Sequence, residues 1–143
     1  MNNIISIDHQ FEVPVSKLWE AITMPTEMKQ WYFDWADFKA EPGFKFTFPG
    51  GPAPDRMYTH LCELKEVIPN QKLSYSWAYE GYEGSSLVTF EISGDEERCT
   101  LHFTHEGIDT FPASNPDLAI ANFIEGWNHI INFSLNNFLT HKN

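Results

Sequence analysis

A chain of 143 residues, 42% hydrophobic and 15% aromatic, is long enough for one real core and too apolar to be disordered. Its formal net charge of -11, from 20 acids against 9 bases, argues against nucleic acid and anionic membranes as partners, since both are polyanions. The first ten residues hold neither a basic segment nor an apolar one, and no run nears the ~20 apolar residues of a membrane span. A cytoplasmic location without membrane insertion is therefore expected.

In chain order, residues 4–13 alternate. Ile5, Ile7, His9, Phe11 and Val13 fall on one face and Ser6, Asp8, Gln10 and Glu12 on the other, as in a half-buried strand. Pro14 suits the start of a helix, and Val15, Leu18, Trp19 and Ile22 then give one apolar stripe. Pro25 ends that helix and opens a short second one over 25–31, with Met28 and Trp31 inward.

Beyond Trp31 the period changes to two. Strands are predicted over roughly 33–40, 44–48, 57–68, 72–80, 85–93 and 98–107, separated by turn chemistry at 41–43, 69–70, 81–84 and 94–95. One-sided alternation, as in Leu73, Tyr75, Trp77 and Tyr79, is the mark of an antiparallel sheet with one wet face. PGGPAPDR, 49–56, is too rich in proline and glycine for a sheet interior and reads as a loop, placed to gate a cavity mouth. Asn115 followed by Pro116 signals a helix start, and the pattern predicts one helix from 116 to about 140. Ile120, Ile124, Trp127, Ile131, Leu135 and Phe138 follow its period, with Phe123, Ile130 and Phe133 widening the apolar face. Gly126, in mid-helix, costs roughly 1 kcal/mol against alanine, so either a close neighbour or room for a ligand is expected beside it.

Chemistry is sparse. The six histidines share no ligand-type spacing, and His102 and His105 fall on opposite faces of a strand, so no metal is expected. Cys62 and Cys99 have no metal spacing and no activating context. Nucleophile elbows, phosphate loops and dinucleotide fingerprints are absent from the sequence, so neither cofactor nor catalytic residue is assigned. What remains is the face read as inward: Phe46, Tyr58, His60, Tyr75, Trp77, Phe90, Phe103 and His105 from the strands, and Phe123, Trp127 and Ile130 from the last helix. Aromatics fill cores, and they also line pockets for apolar ligands. His60 and His105 are either satisfied core histidines or the groups that orient a ligand's polar end.

The order and spacing of VPVSKLWEAITMPTEMKQW, KEVIPNQKLSYSW, SSLVTFEIS with RCTLHFTHEG, and EGW resemble the Bet v 1-like superfamily, also called START-like or SRPBCC domains. Within it the chain resembles the family named for the C-terminal domain of the activator of Hsp90 ATPase. The resemblance implies a single α+β domain over residues 1–143. A curved seven-stranded antiparallel sheet would grip a long C-terminal helix, with two short helices after the first strand. It also implies a cavity of the kind that other members use for lipids, sterols, polyketides or plant hormones. The expected function is binding of a small apolar or amphipathic molecule by a monomer or weak dimer. Two alternatives stand beside it: a cyclase- or hydrolase-like enzyme using a cavity histidine or tyrosine, and a chaperone-associated domain with a protein partner.

Overall fold

The computed structural model describes residues 4–32, 38–50, 57–112 and 114–140. Among these, six strands form one open antiparallel sheet: β1 (Ile5–Phe11), β2 (Lys45–Gly50), β3 (Tyr58–Ile68), β4 (Lys72–Tyr79), β5 (Ser86–Gly94) and β6 (Cys99–Glu106). Their order across the sheet is β1-β6-β5-β4-β3-β2. Strands β2 to β6 follow one another as neighbours, and β1 closes the far side by pairing with β6, Ile7 opposite Phe103.

Among the described residues the expectation of seven strands is thereby corrected to six. Of the predicted strand 33–40, residues 33–37 lie outside the described residues, and 38–40 do not pair. Phe38 instead buries its ring edge-on against Phe44 and Phe46, at 5.8 and 5.3 Å, so the core holds it by side-chain packing and not by a ladder. Two residues of the predicted loop 49–56 are strand. Pro49 and Gly50 pair with Thr59 and Tyr58 at the end of β2, an outer strand where proline is tolerated. The remainder, 51–56, lies outside the described residues, as does any gating role for it.

Helices α1 (Val15–Thr23) and α2 (Pro25–Trp31) stand where the two prolines put them. Leu18, Ala21 and Ile22 of α1 are buried, as are Met28 and Trp31 of α2. The Trp31 indole N–H donates to the Ala21 carbonyl at 2.9 Å, which ties the second helix to the first.

The C-terminal segment departs from the single helix expected over 116–140. Asn115 does accept the Asp117 backbone N–H, at 3.0 Å, but it caps only a 3₁₀ turn, Pro116–Leu118. Ala119 is extended (ψ 145°), and helix α3 begins after it (Ile120–Asn128). The helix then widens to π geometry over His129–Leu135 and ends as α4 (Asn136–Thr140). The sequence explains the widening. The buried residues Phe123, Trp127, Ile131, Leu135 and Leu139 recur every fourth position. At ~3.6 residues per turn, each step of four overshoots by about 40°, so a purely α stripe would wind off the sheet. A π turn takes more residues and rotates less per residue, which brings the stripe back. For the same reason Ile124 and Phe133, read as apolar-face residues, are 42% and 58% exposed. Among the described residues no helix is long and apolar enough to cross a membrane.

Cys62 on β3 and Cys99 on β6 are separated by β4 and β5, hence by about 14 Å at ~4.8 Å per strand, beyond the ~7 Å limit of a disulfide. Both thiols are free and buried, and burial pushes the Cys99 thiol up to about 11 and Cys62 further still. Native protein should therefore be silent to a thiol reagent such as DTNB, with both thiols reacting only after unfolding. A native thiol that reacts within minutes would contradict the packing of these two strands.

Candidate ligand cavity

The alternation of β4 puts Trp77 and Tyr79 on the buried face, and the start of β3 puts Tyr58 and His60 beside them, His60 directly opposite Tyr79. Gly50 faces Tyr58 from the end of β2. Across from these strands, α3 presents Phe123, Gly126 and Trp127. Between the two surfaces lies a cavity of about 690 Å³. Its mouth carries Asp117 from the 3₁₀ turn and Glu125 and His129 from the helix.

His60 is a held imidazole. Its ring stacks on Phe48 at 4.4 Å and meets Trp77 and Tyr79 at 4.9 and 4.8 Å. Its Nδ1 lies 3.2 Å from the Phe48 carbonyl, which can only accept, so Nδ1 carries the proton and the neutral ring keeps its lone pair on Nε2. Burial lowers its pKa to about 4, against the opposing pull of the Phe48 and Tyr58 carbonyls. Gly50 guards the ring's free edge. A Cβ there would stand 2.9 Å from His60 Cε1, and Gly50 has no positive φ that would call for glycine on conformational grounds. Space beside the imidazole is what this glycine provides.

Tyr79 accepts the Trp77 indole N–H at 2.9 Å, and its own proton meets no acceptor among the described residues. Burial raises the phenol above its usual range, so it remains a donor. Tyr58, at the mouth, donates to Asp117 Oδ2 at 2.7 Å and accepts from Asn115 Nδ2 at 3.2 Å. Gly126 is the helical gap: a Cβ there would meet nothing within 4 Å. Of the two accounts expected for this glycine, close approach of a neighbour is thus corrected, and open space beside the helix is found.

Of the eleven residues read from sequence as ligand-facing, Tyr58, His60, Trp77, Phe123, Trp127 and Ile130 border this cavity. Phe46, Tyr75, Phe90, Phe103 and His105 share the buried face but fill one another's space. Phe46 lies edge-on to Tyr75 at 5.4 Å, Phe90 to Phe103 at 5.1 Å, and Phe103 against Trp127 at 4.4 Å. The Tyr75 hydroxyl is 3.0 Å from that of Tyr32. His105 is fully buried in a closed relay. The Trp127 indole N–H donates to its Nδ1 (3.0 Å), its Nε2–H bonds Ser86 Oγ (2.7 Å), and Ser86 donates to the Trp77 carbonyl (2.9 Å). Every proton in that chain has one place to go, and burial lowers the His105 pKa to about 3. It is a core histidine.

Tyr79, which continues the Tyr75–Trp77 alternation and whose hydroxyl the sequence offers for a ligand's polar end, also borders the cavity. Sequence reasoning misses Gly50, Asp117, Leu118, Asn122, Glu125 and His129, which carry no such signal. Among the described residues no group of three or more His, Cys, Asp or Glu could hold a metal ion.

A family model described as activator of Hsp90 ATPase homolog 1-like protein matches residues 12–139. Several solved structures share the fold. Protein MLL2253 from Mesorhizobium loti is 25% identical at a TM-score of 0.77, with 98% of each chain covered. CalU16 from Micromonospora echinospora is 21% identical at 0.71, covering 97% of this chain and 77% of its own. DynU16, a protein of the dynemicin biosynthetic locus, is 20% identical at 0.78, covering 99% of this chain; the match spans about half, 48%, of DynU16. No curated protein sequence matches the chain.

Proposed function

The chain belongs to the activator of Hsp90 ATPase homolog 1-like family, and from that premise we propose that it is a single-domain binder of a small apolar or amphipathic molecule. The occupant lies between the sheet and the C-terminal helix in a helix-grip arrangement. The observation that carries this reading is the cavity of about 690 Å³, bordered by two residues without side chains: Gly50, which makes room for the His60 ring on the sheet, and Gly126, which has open space beside it on the helix. Its walls are aromatic, while the Tyr79 hydroxyl and the His60 imidazole supply a few fixed polar points, the usual division of labour in ligand pockets. Catalysis is the weaker reading. His60, with a pKa near 4, is a poor proton acceptor at neutral pH, and no nucleophile stands beside it among the described lining residues. A protein partner is the third reading, favoured by the exposed Ile124 and Phe133 on the helix's outer face.

Gly126→Leu separates these. The substitution puts a side chain into open space and removes a mid-helix glycine, so the fold should be retained and stabilised by up to about 1 kcal/mol. Binding of a neutral apolar dye such as Nile red should fall at least ~10-fold, and any small molecule seen by native mass spectrometry of the gently purified protein should disappear. Undiminished dye binding would locate the binding elsewhere. A protein pull-down unaffected by Gly126→Leu would favour the partner reading.

A further inference from the structure

Two polar side chains in the cavity wall each keep one hydrogen-bonding function unused. His60 and Tyr79 are 7% and 5% exposed, so both are more than nine-tenths buried, and both border the cavity. The His60 Nδ1–H donates to the Phe48 carbonyl, which leaves Nε2 with a lone pair and no partner among the described residues. Ser74 Oγ is the one side-chain atom among the described residues that is both sealed off and unpartnered, so the unbonded Nε2 is open to the cavity. Tyr79 is the complement. Its oxygen already accepts the Trp77 indole N–H at 2.9 Å, so its remaining function is to donate, and a hydroxyl that accepts one bond donates the next more strongly. The two groups do not satisfy each other: their rings meet edge to face at 4.8 Å with no hydrogen bond between them. One free acceptor and one free donor, fixed on the wall of an otherwise aromatic cavity, make a demand on whatever enters, because a buried polar group left unpaired is costly.

From this pairing, and resting on the binding role proposed above, we infer that the cavity selects an uncharged hydroxyl compound: an apolar body among the rings, with a hydroxyl end that accepts from Tyr79 and donates to His60 Nε2. The bonds then run in one direction. The Trp77 N–H donates to the Tyr79 oxygen, the Tyr79 O–H to the ligand oxygen, the ligand O–H to Nε2, and Nδ1–H to the Phe48 carbonyl. Burial holds the imidazole pKa at about 4, so at neutral pH the ring accepts a hydrogen bond without taking the proton, and the direction stays fixed. Ethers, ketones and carboxylates can only accept. They satisfy Tyr79 and set a lone pair against the lone pair of Nε2. An ammonium group can only donate, and leaves the Tyr79 proton unpaired.

Three probes that share one ring system test this: 2-naphthylmethanol, its methyl ether and 2-methylnaphthalene, titrated calorimetrically into the intact protein. The alcohol should bind about tenfold or more tighter than the ether, which keeps the acceptor and loses the donor. His60→Phe keeps a buried aromatic ring and removes Nε2. In it the alcohol's Kd should rise toward that of the ether, while the ether's stays put. Tyr79→Phe removes the donor that both use, so both should weaken and their ratio should survive. The unaltered protein gives a direct reading as well. In long-range ¹H–¹⁵N NMR the unprotonated His60 nitrogen should move to lower frequency when the alcohol is added and stay in place with the ether. An ether that binds as tightly as the alcohol, an alcohol preference that survives His60→Phe, or a His60 nitrogen that the alcohol leaves unmoved overturns the hydroxyl inference and leaves the cavity reading standing. Failure of all three probes up to their solubility limits overturns both.

Discussion

Trp127→Ala is expected to remove on the order of 3–5 kcal/mol of folding stability, a large share of the ~5–15 kcal/mol typical of a single domain. The residue borders the cavity, yet it is only 3% exposed. Its ring lies 4.4 Å from Phe103, 5.6 Å from Trp77 and 6.5 Å from Phe90, so truncation opens a hole between helix and sheet. It also strips His105 Nδ1 of its donor, leaving a fully buried acceptor unpaired at a further penalty of about 1–3 kcal/mol. Trp127→Phe keeps a ring and loses the N–H, so it should show the second penalty with little of the first. Urea denaturation of the two variants measures both. A loss below about 1 kcal/mol for the alanine variant would mean that Trp127 borders open space on most of its surface and is not a keystone of the core.

Acid should destabilise the protein steeply, and the two buried histidines set the window. The folded pKa is lowered to about 4 in His60 and about 3 in His105, against an ordinary imidazole value near 6.5 in the unfolded chain. Below pH ~6.5 the unfolded chain binds a proton at each site that the native protein refuses, so falling pH favours unfolding. The stabilisation is complete above pH ~6.5 and is eroded at up to about 1.4 kcal/mol per pH unit per histidine as pH falls toward the folded values. Between pH ~6.5 and ~4.5 several kcal/mol should be lost, enough to bring a domain of ordinary stability to its acid transition. Urea midpoints measured across that range give the slope, and His60→Gln should roughly halve it. The idea fails if the stability is level from pH ~7 to ~4.5, or if NMR finds either native imidazole titrating near ~6.5.

The parts of the fold that are legible in the sequence are those in which local chemistry and tertiary burial agree. Leu73, Tyr75, Trp77 and Tyr79 alternate because one face of β4 is buried, and Pro14 and Pro25 punctuate α1 and α2 where the backbone demands it. The last helix is less legible. Phe123, Trp127, Ile131, Leu135 and Leu139 repeat every four, and a reader armed with an α period adds Ile124 and Phe133 to the apolar face and takes Phe138 where Leu139 is buried. The site is legible as a face but not as a cavity. Tyr75, Phe90 and Phe103 look identical in pattern to Trp77, yet they touch one another while Trp77 also meets empty space. Which of them does so depends on where the helix passes over the sheet, a long-range property. Gly50 shows as a strand breaker in sequence, and only its distance to His60 gives it a purpose.

The position of β2 has a bearing on how the protein behaves at high concentration. It is the outermost described strand on the cavity side, and an outer strand is a template on which a second chain can add and polymerise. Proline is accepted within a sheet where its missing N–H faces away from the partner strand, so Pro49 leaves a gap in the outward row of donors just before Gly50. Lys45, exposed at the other end of the strand, adds a charge that an incoming edge would have to desolvate. Two copies each carrying -11 also repel before they meet. The same short stretch whose glycine makes room for the His60 imidazole thus works against fibre growth.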